Sequence, residues 1–101
     1  MIKESYKRFF RTLANEKRLI IIHFLARRGP HNVSSIVQGT RLEQTAVSHN
    51  LKRLLACHFV FFRQHGKKRI YTLNTKTIKP LLTLMDSHVN RFCTRCHINN
   101  K

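Results

Sequence analysis

The charge balance of this chain constrains its fold and its partners more than any other feature. Twenty lysines and arginines stand against four aspartates and glutamates, so the formal net charge is +16 at pH 7 in 101 residues. Positive charges in such excess repel one another and destabilise any compact state. A polyanionic partner offsets the repulsion, so the charge predicts binding to nucleic acid or, as a weaker alternative, to an anionic membrane. Four carboxylates also exclude most mechanisms that need a dense acidic cluster.

Length and composition indicate a single folded domain. With 42% hydrophobic residues the chain has enough apolar material for one modest core. No apolar run approaches the ~18 residues of a membrane span, and charged residues recur up to Arg18, which is not the pattern of a signal peptide. We therefore expect a cytoplasmic protein without a membrane partner. The domain is predicted to span residues 1–93, followed by a Cys/His tail at 94–101.

Two breaks divide the chain, one at Gly29-Pro30 and one around Gly66. Before the first break, apolar residues at helical spacing predict a short helix over 3–13. Asn15 is a candidate N-cap for a second helix over 16–28. The second helix is apolar on most sides, so it is predicted to lie in the middle of the core.

The segment between the two breaks predicts a helix-turn-helix. Val33, Ile36 and Val37 indicate a brief third helix that is opened by polar serines and closed at Gly39. After a short turn, residues 43–56 form an amphipathic pattern with a basic polar side. Two helices joined by a turn of three or four residues, the second amphipathic and basic, are typical of this DNA-binding motif.

The rest of the chain adds a wing and a last helix. Phe59–Arg63 and Arg69–Leu73 are β-rich and flank a tip that contains Gly66, which predicts a hairpin. Residues 76–93 carry a long apolar stripe. The predicted fold is thus mainly α with a β-hairpin wing, a winged helix-turn-helix.

The apolar last helix has no remaining partner within the chain beyond the first helix. We therefore predict a homodimer held through the first and last helices. The residues predicted at its interface are Phe9, Phe10, Leu13, Leu81, Leu82, Met85, Val89 and Phe92.

The basic side of the fourth helix supplies the predicted DNA contacts. A helix fits the major groove, where side chains near its N-terminus reach base edges and Gln pairs bidentately with adenine. A cationic hairpin tip can contact phosphates or the minor groove. The predicted contacts are Gln44, Thr45, Ser48 and His49 to bases, and Lys52, Arg53, His65, Lys67, Lys68 and Arg69 mainly to the backbone.

Three segments of the chain resemble the ArsR/SmtB-type repressors. Residues 13–19 (LANEKRL) resemble the opening of that family, residues 44–54 its recognition helix, and residues 66–73 its wing. The resemblance implies a homodimeric repressor on a palindromic operator, released by an inducer. The chain departs from the family at Asn50, where His is common, and at Cys57-His58, where Gly is usual. A non-glycine residue there should end the helix at a modest energetic cost.

The resemblance leaves the inducer open. The segment 32–37 has no cysteine, so the family's arsenic-type site in the third helix is absent. The chain is closest to the redox- and persulfide-sensing subgroup, but His23 stands where that subgroup has its second-helix cysteine. We expect His23 to be a hydrogen-bonded core histidine.

The C-terminal cysteines allow three interpretations. Two thiolates spaced by two residues beside an imidazole can chelate Zn²⁺. Nearby arginines lower the pKa of a thiol and favour a reactive thiolate. The third interpretation is an exposed C-terminal tail whose cysteines are incidental. The candidate metal or redox residues are His88, Cys93, Cys96 and His97.

The sequence therefore predicts a sequence-specific double-stranded DNA-binding regulator, a dimeric repressor and not an enzyme. The main alternative is a non-specific basic protein that binds RNA or chromatin on the same scaffold. A further alternative is a protein-binding adaptor that docks through Phe61 or Phe62.

Overall fold

The computed structural model describes residues 2–93, which form five helices and one antiparallel two-stranded sheet. None of these helices is long and apolar enough to cross a membrane. The elements, in chain order, are α1 (Glu4–Leu13), α2 (Glu16–Arg28), α3 (Val33–Thr40), α4 (Gln44–Ala56), β1 (Val60–His65), β2 (Lys68–Leu73) and α5 (Ile78–Arg91). This order confirms the winged helix-turn-helix prediction.

Asparagine side chains begin two of the helices. The Asn15 side-chain oxygen accepts from the backbone N–H of Arg18 at 3.0 Å, which confirms Asn15 as the N-cap of α2. Asn32 caps α3 in the same way, accepting from the Ser35 N–H at 2.8 Å. The prediction had placed the start of α3 at the serines. The helix also continues through Thr40, one residue beyond the predicted end at Gly39.

The centre of α2 lies in the middle of the core, as its apolar pattern predicted. Ile21 and Ile22 are fully buried and Leu25 is nearly so. The other four helices, both strands and the residue before β1 contribute further buried side chains. These are Leu13, Ile36, Val47, Leu51, Leu54, Phe59, Val60, Tyr71, Leu73, Ile78 and Leu82.

The wing has a tighter tip than the sequence indicated. His65 pairs directly with Lys68, so the strands run into the predicted tip and only Gly66 and Lys67 form the turn. Gly66 has a φ of +63°, the left-handed value that the first residue of this kind of two-residue turn requires. At the other end of the hairpin, the backbone of His31 exchanges two hydrogen bonds with Tyr71, at 3.0 and 2.9 Å. The segment before α3 is therefore tied to the wing.

The last helix is shorter than predicted. The side-chain oxygen of Asn74 accepts from the backbone N–H groups of Lys76 and Thr77, at 3.1 and 3.3 Å. This turn delays the start of the helix from residue 76 to Ile78. The helix ends at Arg91 rather than at residue 93.

Candidate nucleic-acid interface

Helix α4 buries one side and exposes the other. Val47, Leu51 and Leu54 lie in the core. Every α4 side chain predicted to contact DNA is exposed: Gln44, Thr45, Ser48, His49, Lys52 and Arg53. The polar face is therefore available to a duplex, while the individual base and phosphate contacts remain predictions.

A buried arginine anchors α4 from behind. Arg18 of α2 is only 9% exposed. Its Nε donates to the Thr12 carbonyl oxygen at 2.7 Å, its Nη2 to the Arg11 carbonyl oxygen at 3.3 Å, and its Nη1 to Asn50 Oδ1 at 3.1 Å. Asn50 in turn donates from Nδ2 to the Ala46 carbonyl oxygen within α4 at 2.8 Å. One side chain thus joins the end of α1, the start of α2 and the middle of α4.

The buried Arg18 cation is held by carbonyl and amide oxygens rather than by a carboxylate of the described residues. Burial, followed by the neighbouring Arg53 guanidinium, lowers the pKa of Arg18 from its ordinary value. Arginine nevertheless stays charged in proteins. The last carbonyl groups of α1 carry the negative end of that helix dipole, which stabilises the guanidinium. Local sequence patterns do not reveal this pair, because the two residues are 32 positions apart. The departure from the family at Asn50 was the only sequence signal near it.

The end of α4 confirms the predicted non-glycine helix stop. His58 has a φ of +58°. Its N–H donates to the Leu55 carbonyl oxygen at 3.0 Å, and the N–H of Phe59 donates to the Leu54 carbonyl oxygen at 2.9 Å. These two bonds form the Schellman arrangement that usually employs glycine. The core side chain of Phe59 then leads directly into the wing.

The tip of the wing is exposed and cationic, with His65, Lys67, Lys68 and Arg69 all accessible. The Arg69 guanidinium lies 4.3 Å from the centre of the Phe62 ring, a cation–π contact that orients it. Phe61 and Phe62 are 43% and 39% exposed, so the structure does not remove the adaptor alternative.

The cations of α4 and of the wing form no ion pair in the described part of the chain. Within residues 2–93 only two acid–base pairs come within 4.0 Å, Arg11 with Glu4 at 3.0 Å and His23 with Asp86 at 3.8 Å. Neither pair involves α4 or the wing. The positive charge of both elements is therefore left for an external anion.

Helices α1 and α5 leave apolar side chains exposed, as the dimer prediction requires of them. Among the predicted interface residues, Phe10, Val89 and Phe92 are exposed at 61%, 47% and 56%. The half-buried ones are Phe9, Leu81 and Met85, which pack against the protomer's own core.

Two of the predicted interface residues are buried within the protomer itself. Leu13 and Leu82 are only 7% and 3% exposed inside the protomer, so they offer little surface to a second copy. An apolar stripe does not reveal which of its positions face the chain's own core. The exposed positions on the same helices also include Tyr6 and Leu84, which the sequence analysis did not assign to the interface.

The candidate metal and redox residues fall partly outside the described part of the chain. Cys93 is exposed with a free thiol, and the ring of His88 lies 5.2 Å from that of Phe92. Cys96 and His97 lie outside the described residues. Within residues 2–93, no group of three or more His, Cys, Asp and Glu side chains could hold a metal ion. A zinc site would therefore need the tail.

His23 is not the core histidine that was expected. Its side chain is 39% exposed, with Nε2 facing Asp86, while Nδ1 donates to the Leu19 carbonyl oxygen at 2.9 Å. It lies at a surface groove beside α2 because the apolar pattern of that helix does not continue around its outer side.

Sequence comparison identifies the family. A model described as "Bacterial regulatory protein, arsR family" matches residues 15–60. A probable mercury resistance operon repressor of Streptomyces lividans is 34% identical over 81 residues, covering 80% of this chain and 64% of that protein. This chain therefore spans just under two thirds of that relative. An arsenical resistance operon repressor of Bacillus subtilis (strain 168) is 31% identical over 79 residues, covering 78% and 75%.

Solved structures share the fold. A homodimeric winged helix-turn-helix DNA-binding domain from Mycobacterium bovis, described as a possible ArsR-family transcriptional regulator, aligns with a TM-score of 0.78 and 28% identity, covering 86% of this chain and 80% of that one. Rv0081 from M. tuberculosis aligns with a TM-score of 0.81 and 27% identity, covering 92% and 96%. The fold and the exposed basic helix define a winged helix-turn-helix regulatory protein. More particularly, the chain belongs to the arsR family of bacterial regulatory proteins.

Proposed function

We propose that this protein is a homodimeric transcriptional repressor that binds a palindromic operator in double-stranded DNA. The observation that carries the proposal is the exposed polar face of α4, which is held from behind by a buried network and flanked by a cationic wing. The names of the two operon repressors among its relatives support repression. The protein acts by binding and not by catalysis, and its place of action is the cytoplasm, where bacterial DNA lies.

The two elements divide the work of recognition. Gln44 begins α4, and side chains at the N-terminal end of a recognition helix reach base edges in the major groove. Lys52 and Arg53, further along the helix, contact phosphates. The wing cations lie along the backbone or the minor groove, where charge and groove width are recognised.

The dimer sets the spacing of the operator. The exposed apolar residues of α1 and α5 form the contact between copies, and the two recognition helices then enter successive major grooves about 34 Å apart. We expect an inverted repeat whose half-sites are centred one helical turn apart.

The proposal is tested by selecting tight-binding duplexes from a random pool and measuring their affinity against salt. An inverted repeat should emerge, bound by two chains. If six to ten phosphates are contacted, affinity should fall by roughly 10³–10⁵ between 50 and 200 mM salt. Equal affinity for the selected duplex, a scrambled duplex and structured RNA would favour the non-specific alternative. A flat salt response would contradict the electrostatic argument.

Two substitutions distinguish base recognition from phosphate binding. Gln44→Ala should relax the preference at one base position, at a cost of about 1–3 kcal/mol on the operator. Lys67→Ala should weaken selected and random duplexes alike and lower the salt slope by about one. Lys76→Ala, a lysine outside α4 and the wing, is the matched control. Equal losses on both duplexes for both variants would refute the division of roles.

The zinc prediction remains part of the proposal for the inducer. Cys93, Cys96 and His97, with His88 or a residue of a second copy, would supply the sulfur and nitrogen ligands that zinc prefers. Zinc content and free thiols, measured on protein purified without chelator, test it. One zinc per chain with two protected thiols supports the site. Three free thiols without metal argue against it and leave redox sensing or constitutive binding.

A further inference from the structure

A surface groove of about 680 Å³ lies beside α2, and none of the residues that line it is predicted to contact DNA. We call it the α2 groove. It is lined by Ala14, Asn15, Glu16, Leu19, Ile20, His23, Phe24, Arg27, Arg28, Gly39 and Thr40. Its size falls within the range of small-molecule sites, about 300–1,000 Å³.

The chemistry of the α2 groove is apolar along its length and cationic at one end. Leu19 and Phe24 are half-buried and Ile20 is exposed, so all three supply apolar surface to the groove. Arg27 and Arg28 are exposed in the last turn of α2, and no carboxylate of the described residues lies within 4.0 Å of either.

The distribution of charge selects the ligand class. Glu16, the one acidic residue of the lining, lies roughly 16 Å from Arg27 along the helix axis. The arginine end is thus free of acidic neighbours within the groove. An apolar body with one negatively charged end matches this arrangement.

The ring of Phe24 links the α2 groove to the DNA-binding elements. A Cβ added to Gly39 would lie only 2.1 Å from this ring, so the end of α3 packs directly against it. The ring of His31 lies 4.9 Å from the Phe24 ring on another side, and the His31 backbone is paired with Tyr71 of the wing. A displacement of Phe24 therefore acts on both α3, which leads into α4, and the wing.

His23 links the α2 groove to the last helix. Its Nε2 lies 3.8 Å from Asp86 Oδ1 on α5, one of the two helices proposed to form the dimer. A ligand against His23 and Phe24 would therefore contact side chains connected to the recognition motif, the wing and the dimer helix. Ligand binding is coupled to DNA binding only if the ligand contacts elements whose arrangement differs between the conformations that bind DNA strongly and weakly.

We propose that the α2 groove binds an amphipathic organic anion, with its carboxylate or sulfonate on Arg27 and Arg28 and its apolar body on Leu19, Ile20 and Phe24. Occupancy moves the Phe24 ring and changes the affinity for DNA. The regulatory half of this proposal rests on the proposed function, whereas the binding half does not. Coupling between two sites of this kind is typically about 5- to 150-fold.

Ligand binding is tested on the full chain without DNA. The probe is 1-anilinonaphthalene-8-sulfonate, an apolar ring system with one sulfonate that reports binding to exposed apolar surface by its fluorescence. Saturable binding at one site per chain is expected. Decanoate should displace the probe at least about tenfold more effectively than the neutral decan-1-ol, since an arginine–carboxylate pair adds a charge-assisted bond. Failure to saturate, or equal displacement by the alcohol, would overturn the site.

Variants locate the binding site. Arg27→Ala combined with Arg28→Ala should lower the affinity for decanoate by about tenfold or more. Ile20→Glu should abolish decanoate binding, because it places a carboxylate on the exposed apolar surface of the groove. Arg8→Ala combined with Lys79→Ala removes the same charge elsewhere and should leave binding unchanged. Circular dichroism checks that each variant is folded. Equal effects in both double variants would show that the probe follows net charge, and would refute the groove.

The regulatory half is tested by titrating the selected operator with and without decanoate. A 5- to 150-fold change in the DNA dissociation constant is expected for the unmodified chain, and none for Ile20→Glu. Saturable decanoate binding without a change in DNA affinity would refute regulation but keep the ligand site. Decanoate binding without any operator binding would refute the proposed function alone. If Ile20→Glu instead weakens dimerisation by sedimentation, the groove is a surface between copies and the ligand proposal fails.

Discussion

Removing the buried Arg18 should destabilise the protein strongly and show how α4 is held. Arg18→Met keeps most of the side-chain length but removes the donors to Asn50 Oδ1, Thr12 O and Arg11 O. Each buried group left without a partner costs about 1–3 kcal/mol. The 3.3 Å bond to Arg11 is the weakest, and losing a buried cation recovers part of the cost. We expect a net loss of about 2–4 kcal/mol in the free energy of unfolding.

A double-mutant cycle with Asn50 isolates the contact between α2 and α4. Asn50→Ala removes the acceptor for Arg18 and the donor to the Ala46 carbonyl oxygen, so it should cost about 1–2 kcal/mol. Because the two residues share one hydrogen bond, the double variant should lose less than the sum, by about 1 kcal/mol. Lys52→Met, which removes an exposed cation of α4 other than the Arg53 that neighbours Arg18, is the control and should change stability by less than about 0.5 kcal/mol.

The assay is urea unfolding followed by far-ultraviolet circular dichroism at one fixed protein concentration, because dimerisation makes stability depend on concentration. Strict additivity of Arg18→Met and Asn50→Ala would show that the two side chains act independently. A loss below about 1 kcal/mol for Arg18→Met would refute the argument from buried partners. Either result would mean that the hydrogen bond between Arg18 and Asn50 does not hold α4 in place.

Urea unfolding tests three further substitutions. Gly39→Ala should lower the free energy of unfolding by about 1 kcal/mol, since the new methyl group must displace the Phe24 ring. This loss should be smaller in a Phe24→Leu background, and an unchanged loss would contradict the argument. His58→Gly should gain about 0.5–1 kcal/mol by relieving the positive φ, and a loss would mean that its side-chain contacts outweigh the backbone. Asn15→Ala should lose about 1 kcal/mol with the cap of α2; no change would mean that water replaces the cap.

Local patterns were enough to predict the order of elements. Apolar spacing distinguishes helices from strands, and Asn15, Gly29 and Gly66 mark where the chain must turn. The exposed face of α4 follows from the same periodicity, because polar residues at helical spacing stay in water. Element ends were less well predicted, since they depend on particular side-chain bonds such as those of Asn74.

The sequence by itself determined the fold class, the basic character and the family, because each is carried by spacing, composition or short motifs. Only the tertiary structure decided that Leu82 belongs to the core, that Arg18 bonds to Asn50, and that Phe24 packs on Gly39 beside an open groove. Those contacts join residues far apart in the chain. Their formation depends on how the helices pack in three dimensions, which the pattern along any one helix does not encode.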